Sequence, residues 1–133
     1  MDTSRPPENT KERVILCVNA ALARNPQKLT IIRISELSSF ADYFIVCSGN
    51  SDRQVQAIAE AIRDGLKKNN ILPLGIEGER AGQWILMDYG DLVVHIFYEP
   101  LREFYNLEGL WSDAPSMEVA EEARNISVAD PIP

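Results

Sequence analysis

The chain has 133 residues, 45% of them hydrophobic, and a formal net charge of −7. That is one domain's worth of sequence, large enough to bury a core without disulfide or metal staples. The acidic surplus argues against direct DNA binding, because a phosphate backbone repels it, and no apolar run approaches the roughly 20 residues that cross a bilayer.

The opening stretch MDTSRPPENTKE is polar and unlike a signal peptide, so a soluble, cytoplasmic protein is expected. Val14, Ile15, Val18, Ala21 and Leu22 then recur at helical spacing until Asn25-Pro26 ends the pattern. Leu29 to Ile34 alternates and is rich in β-branched residues, as a strand should be, and Ser35 to Asp42 connects it to Tyr43-Phe44-Ile45-Val46-Cys47. That second run is apolar without alternation, which suits a strand covered on both faces.

Ser48-Gly49-Asn50 turns into the strongest helical pattern in the chain. Ser51 is an N-cap, Gln54 three residues on completes a capping box, and Val55, Ile58, Ala59, Ile62 and Leu66 form one stripe. Leu72 to Ile76 reads as a short strand whose Pro73 places it at an edge or a strand start, and strand, helix, strand predicts a parallel crossover. After the charged loop Glu77 to Ala81, Tyr89-Gly90 separates two apolar runs and signals a hairpin of Trp84–Asp88 with 91–98. The tightest turn sets Asp88 opposite Asp91, Leu86 opposite Val93 and Trp84 opposite His95. One face then carries Ile85, Met87, Leu92, Val94 and Ile96. The other carries Trp84, Leu86, Val93, His95 and Phe97.

Pro100 opens a helical segment at Leu101 to Tyr105, followed by Leu107 to Trp111, with an apolar and aromatic stripe. Residues 112–133 hold few large apolar side chains and read as a disordered acidic tail, leaving 1–111 as the folded domain. The predicted fold is α/β, a mixed five-stranded sheet flanked by helices.

Residues 77–111 hold 7 acidic groups against 2 basic ones, whereas residues 1–76 hold 8 against 10, so the acidity centres on the hairpin. Cys17 and Cys47 lie in separate apolar stretches with no ligand spacing around them, which predicts buried reduced thiols and no metal site. His95 has no positioned nucleophile in sequence and reads as a structural or interface histidine. The turn from Ser48 to Ser51 resembles the phosphate-binding turn of nucleotidyltransferases. The carboxylates of Asp88-x-x-Asp91 straddle a turn instead of alternating along a strand, so two metal ligands are lacking and no catalytic set or cofactor is expected. Aromatic rings and carboxylates at Trp84, Asp88, Tyr89, Asp91 and Tyr98 favour a protein-binding module, with rings as anchors and charges at the rim.

Gly82-x-Trp84, Asp88-Tyr89-Gly90-Asp91, Val93-Val94-His95-Ile96-Phe97 and Arg102-Glu103-Phe104-Tyr105-x-Leu107-Glu108-x-Leu110-Trp111 together resemble the ribosomal silencing factor family, also called RsfS or Iojap. The resemblance spans roughly Val14 to Trp111 and implies a nucleotidyltransferase-like fold without catalysis. It also implies binding to the large ribosomal subunit through its ribosomal protein fourteen, a block on small-subunit joining during nutrient shortage, and a homodimer when free. On this sequence it maps partner binding to Trp84, Asp88 and Tyr89, with help from His95, Glu99 and Arg102, and the residues themselves add Asp91. The alternatives are a large-subunit assembly factor without silencing and a residual nucleotide-binding protein of the nucleotidyltransferase type.

Overall fold

A computed structural model describes residues 9–133; the polar stretch expected not to be a signal peptide lies largely outside them. The first helix, α1 (Thr10–Leu22), starts where the Asn9 side chain accepts from the Glu12 N–H at 2.8 Å. Val14, Cys17, Val18 and Ala21, spaced to share one helical face, are its buried residues. β1 (Gln27–Arg33) and β2 (Tyr43–Gly49) pair antiparallel. The next helix, α2 (Asp52–Lys67), is capped by the Ser51 hydroxyl, which accepts from Gln54 N–H at 3.1 Å. The Gln54 side chain closes the box one residue earlier than expected, accepting from Asn50 N–H at 2.6 Å, and donates to the Arg24 and Asn25 carbonyls, which moors α2 to the end of α1.

β3 (Gly75–Glu77), β4 (Trp84–Asp88) and β5 (Leu92–Tyr98) follow, then the short helices α3 (Glu99–Tyr105) and α4 (Leu107–Leu110), and finally β6 (Ser116–Glu118). The sheet order is β3-β4-β5-β2-β1-β6. Only β2 and β5 pair in parallel, with Ile45 beside Val94 and Val46 beside His95. The crossover through α2 therefore runs over β5 and β4 to the far edge at β3, which is parallel to β2 but not its neighbour.

α1 and α2 cover one face of the sheet. Val55, Ile58, Ile62 and Leu66 of α2 meet Ile45, Cys47, Ile85, Met87, Val94 and Ile96 there, all of them fully buried. Cys17 and Cys47 are free thiols in this layer, and burial pushes both upward in pKa, Cys47 to about 12. Alkylating reagents are therefore expected to leave the native chain unmodified and to label both cysteines once denaturant opens the core. Fast labelling of the native protein would contradict this packing.

The sheet has six strands and not five, because Ser116–Glu118 adds to the outer edge of β1, Met117 beside Ile31. The segment 112–133 is consequently no disordered tail: Val119, Ile126 and Ile132 are buried in the helix-side core, and Asn19 brackets the Ile126 backbone through its amide, accepting from the N–H at 2.7 Å and donating to the carbonyl at 3.1 Å.

The hairpin register also differs from the tightest turn. Trp84 lies opposite Phe97, Leu86 opposite His95 and Asp88 opposite Val93. The Asp88 carboxylate accepts from Gly90 N–H at 2.8 Å, Gly90 takes φ 89°, and Tyr89 N–H donates to Leu92 O at 2.9 Å, so four residues instead of two lie between the last cross-strand pair, Asp88 with Val93. The register moves by two residues, an even number, so the side chains of β4 and β5 keep their expected faces.

A half-open aromatic face as the candidate functional site

On the sheet face away from α1 and α2, alternation presents Trp84, Leu86 and Asp88 from β4, Val93, His95 and Phe97 from β5, and Phe44 and Val46 from β2. Glu77 of β3, opposite Leu86, joins them at the edge and is exposed. The left-handed residue Asn106, at φ 45°, ends α3 and lets α4 turn away, so the two short helices cover this face only in part. Leu101, Leu107 and Trp111 pack on Ile32, Ile34, Val46 and Phe97. Tyr105 sets its ring 4.9 Å from Trp84, which stacks on Phe97 at 4.9 Å, and Trp111 meets Phe44 edge-on at 5.4 Å.

What α3 and α4 leave open is a shallow floor of half-buried Trp84, Leu86, Val93 and Phe44. Phe104, edge-on to Tyr105 at 5.1 Å, is 77% exposed, as is Leu110 of α4, and the carboxylates of Glu77 and Asp88 edge the floor. Apolar floor, aromatic anchors and a charged border are the composition of a protein-binding surface.

The sequence-predicted residues divide. Trp84 and Asp88 belong to this face and are reachable. Tyr89 does not: it is 4% exposed and packs into the helix-side core, because four-residue loop geometry releases it from strand alternation. Asp91 is separated from Asp88 and turned toward α1, accepting from the Thr10 hydroxyl at 3.0 Å with Arg13 at 3.6 Å. His95 and Arg102 are buried, at 4% and 5% exposure, so neither touches a partner in this conformation. Glu99 accepts from the Ser48 hydroxyl and pairs with Lys28 at 3.7 Å. Phe44 and Tyr105, which sequence reasoning had left out, do belong. Phe44 was detectable as the off-phase member of the run from Tyr43 to Cys47.

Other chemistry is poorly served. Ser48 is fully buried and tied to Glu99 and Arg102, while Asp52 puts a carboxylate in the first turn of α2, where a phosphate would have to sit. His95 is held neutral, its pKa lowered to about 4 by burial. Among the described residues no group of three or more His, Cys, Asp or Glu side chains converges to hold a metal, and no helix is long and apolar enough to cross a membrane.

The family model described as "Ribosomal silencing factor during starvation" matches residues 7–131. The chain belongs to the ribosomal silencing factor family. The match continues past Trp111 through β6 and the segment after it, in keeping with their place in the core. The ribosomal silencing factor of Halalkalibacterium halodurans is 38% identical over 111 residues, 84% of this chain and 95% of that protein. The mouse protein named "Mitochondrial assembly of ribosomal large subunit protein 1" is 29% identical over 100 residues, 73% of this chain and 44% of that protein. A crystal structure of a Chromobacterium violaceum protein superposes with a TM-score of 0.78 at 31% identity, covering 88% of this chain and 98% of that one. Ribosomal silencing factors are regulatory, ribosome-associated proteins, and the mixed sheet seen here is shared with solved structures of the family.

Proposed function

We propose that this chain is a translational repressor that docks on the large ribosomal subunit through ribosomal protein fourteen and blocks joining of the small subunit, damping translation when nutrients are short. Family membership supports ribosome association, and the mouse relative's name points to the large subunit. The observation that carries the reading is the half-open face of Phe44, Trp84, Leu86 and Val93 edged by Glu77 and Asp88. An acidic chain carrying such a face is attracted to a basic protein and repelled by the RNA around it. Silencing then needs no bond-making: occupation of the joining surface excludes the other subunit by mass action. The site of action is the cytoplasm, where subunits join.

Trp84→Ala and Asp88→Lys test the surface. Truncating a central aromatic anchor typically costs about 2 kcal/mol or more, so affinity for purified large subunits should fall about 30-fold, measured on variants whose cooperative melting shows them folded. Glu60→Ala, on the exposed side of α2, should have no effect. Unaltered co-sedimentation of both docking variants would remove this face from consideration. A subunit-joining assay separates the roles, since binding without inhibition of joining would leave an assembly factor that does not silence.

A further inference from the structure

Trp84 is the aromatic anchor of the face, and its indole N–H donates to His95 Nδ1 at 3.1 Å. An indole nitrogen can only donate, so Nδ1 is the unprotonated ring nitrogen and Nε2 bears the proton. That tautomer strands Nε2: it is buried and has no hydrogen-bond partner among the described residues. Its surroundings are apolar, with Phe44 edge-on at 4.8 Å and Phe97 nearly parallel at 6.4 Å. An apolar ring in this place would avoid the unpaired donor. A histidine that leaves one nitrogen unsatisfied is therefore best explained by the single bond that the other nitrogen makes.

We propose that His95 is a positioning residue of the docking face: its Nδ1 locks the half-exposed Trp84 indole in the orientation that a partner meets. The inference rests on the docking reading above. It also narrows the partner's chemistry. With its N–H consumed, Trp84 offers only ring surface, which suits an aliphatic group or the stem and cationic head of Lys or Arg. Asp88, four residues and about 13 Å along β4 on the same face, is placed for a second positive charge of the same partner.

The test compares His95→Phe, His95→Asn, Trp84→Phe and the His95→Phe/Trp84→Phe double variant. It uses affinity for purified large subunits together with the Trp84 indole N–H resonance, identified by its loss in Trp84→Phe. His95→Phe should keep the wild-type thermal midpoint, shift the indole resonance toward that of a solvent-exchanging indole and weaken binding about tenfold, the usual worth of one such hydrogen bond. His95→Asn places an acceptor oxygen near the Nδ1 position and should recover both readouts. In the Trp84→Phe background, which has no N–H to hold, His95→Phe should cost nothing further. Should Phe not fit, His95→Leu makes the same comparison.

Additive losses in the double variant, or an indole resonance and affinity both unmoved by His95→Phe, would overturn the proposal. If Trp84→Ala leaves binding intact while His95→Phe still shifts the indole resonance, the docking reading fails and the lock itself stands.

Discussion

Replacement of Arg102 by Ala is expected to destabilise the fold by about 3–5 kcal/mol, from the loss of several charge-assisted hydrogen bonds at once, and to lower the thermal midpoint by about 10–20 °C. The guanidinium is 5% exposed and holds three parts of the chain at once. Its Nε and one terminal nitrogen donate to the two Glu108 oxygens, each at 2.9 Å. The terminal nitrogens also donate to the backbone carbonyls of Gln27 at 3.2 Å and Lys28 at 2.7 Å and to the Ser48 hydroxyl at 3.3 Å. Ala would remove all of these bonds where α3 crosses β1 and β2, leaving the Gln27 carbonyl only the Ser48 hydroxyl at 3.4 Å and the Lys28 carbonyl only the Thr30 hydroxyl at 3.1 Å, and Lys, without the planar fork, should recover only part of the loss. Because the Glu108 side chain is 36% exposed, the ion pair supplies the smaller share of this cost and the lost bonds to the Gln27 and Lys28 carbonyls and the Ser48 hydroxyl the larger. The acid dependence has a definite sign. The hydrogen bond from Arg102 holds the Glu108 carboxyl below its ordinary value. Its contribution is therefore complete above the ordinary carboxylate range and is lost as pH falls through the depressed folded-state value. The gap between the melting curves of wild type and Arg102→Ala should accordingly narrow in acid by the Glu108 share without closing, and a gap that did not narrow at all would leave this pair no part in the stability.

The same residue shows where sequence reading stops. Arg102 lies in a recognisable helical stretch, but its partners at Gln27, Lys28 and Ser48 lie more than fifty positions away and leave no local signature. The two faces of the β4–β5 hairpin, by contrast, were legible despite a wrong register, since a two-residue slip preserves strand parity. Tyr89 was misplaced because alternation ends with the strand. Its burial is decided by the loop that Asp88 and Gly90 build. β6 escaped notice because three residues with one large apolar side chain carry no period. The site was half readable: Trp84 and Asp88 follow from the pattern, whereas the covering by Tyr105 and Trp111 depends on how α3 and α4 turn back over the sheet.

Deleting residues 116–133 is expected to abolish cooperative folding at room temperature. Val119, Ile126 and Ile132, at 4%, 5% and 8% exposure, lie in the same core as α1 and α2. Burying an aliphatic side chain of this size stabilises by about 1.5–3 kcal/mol, so the three together represent about 5–9 kcal/mol, comparable with the whole stability of a small domain at about 5–15 kcal/mol. The loss would not stop at area. Asn19 would keep its amide with no backbone to bracket, the Tyr43 hydroxyl would lose its bond to the Pro133 carbonyl at 2.6 Å, and β1 would expose an unpaired edge along Thr30 to Ile32. Such an edge pairs readily with another chain, so aggregation should accompany unfolding. Ile126→Ala gives the graded version, at about 2–5 kcal/mol for a large-to-small change in a core, read as a lower urea midpoint with an unchanged slope. A truncated chain that still melted cooperatively at the full-length midpoint would mean that α1 closes this face unaided and that the last segment merely lies upon it.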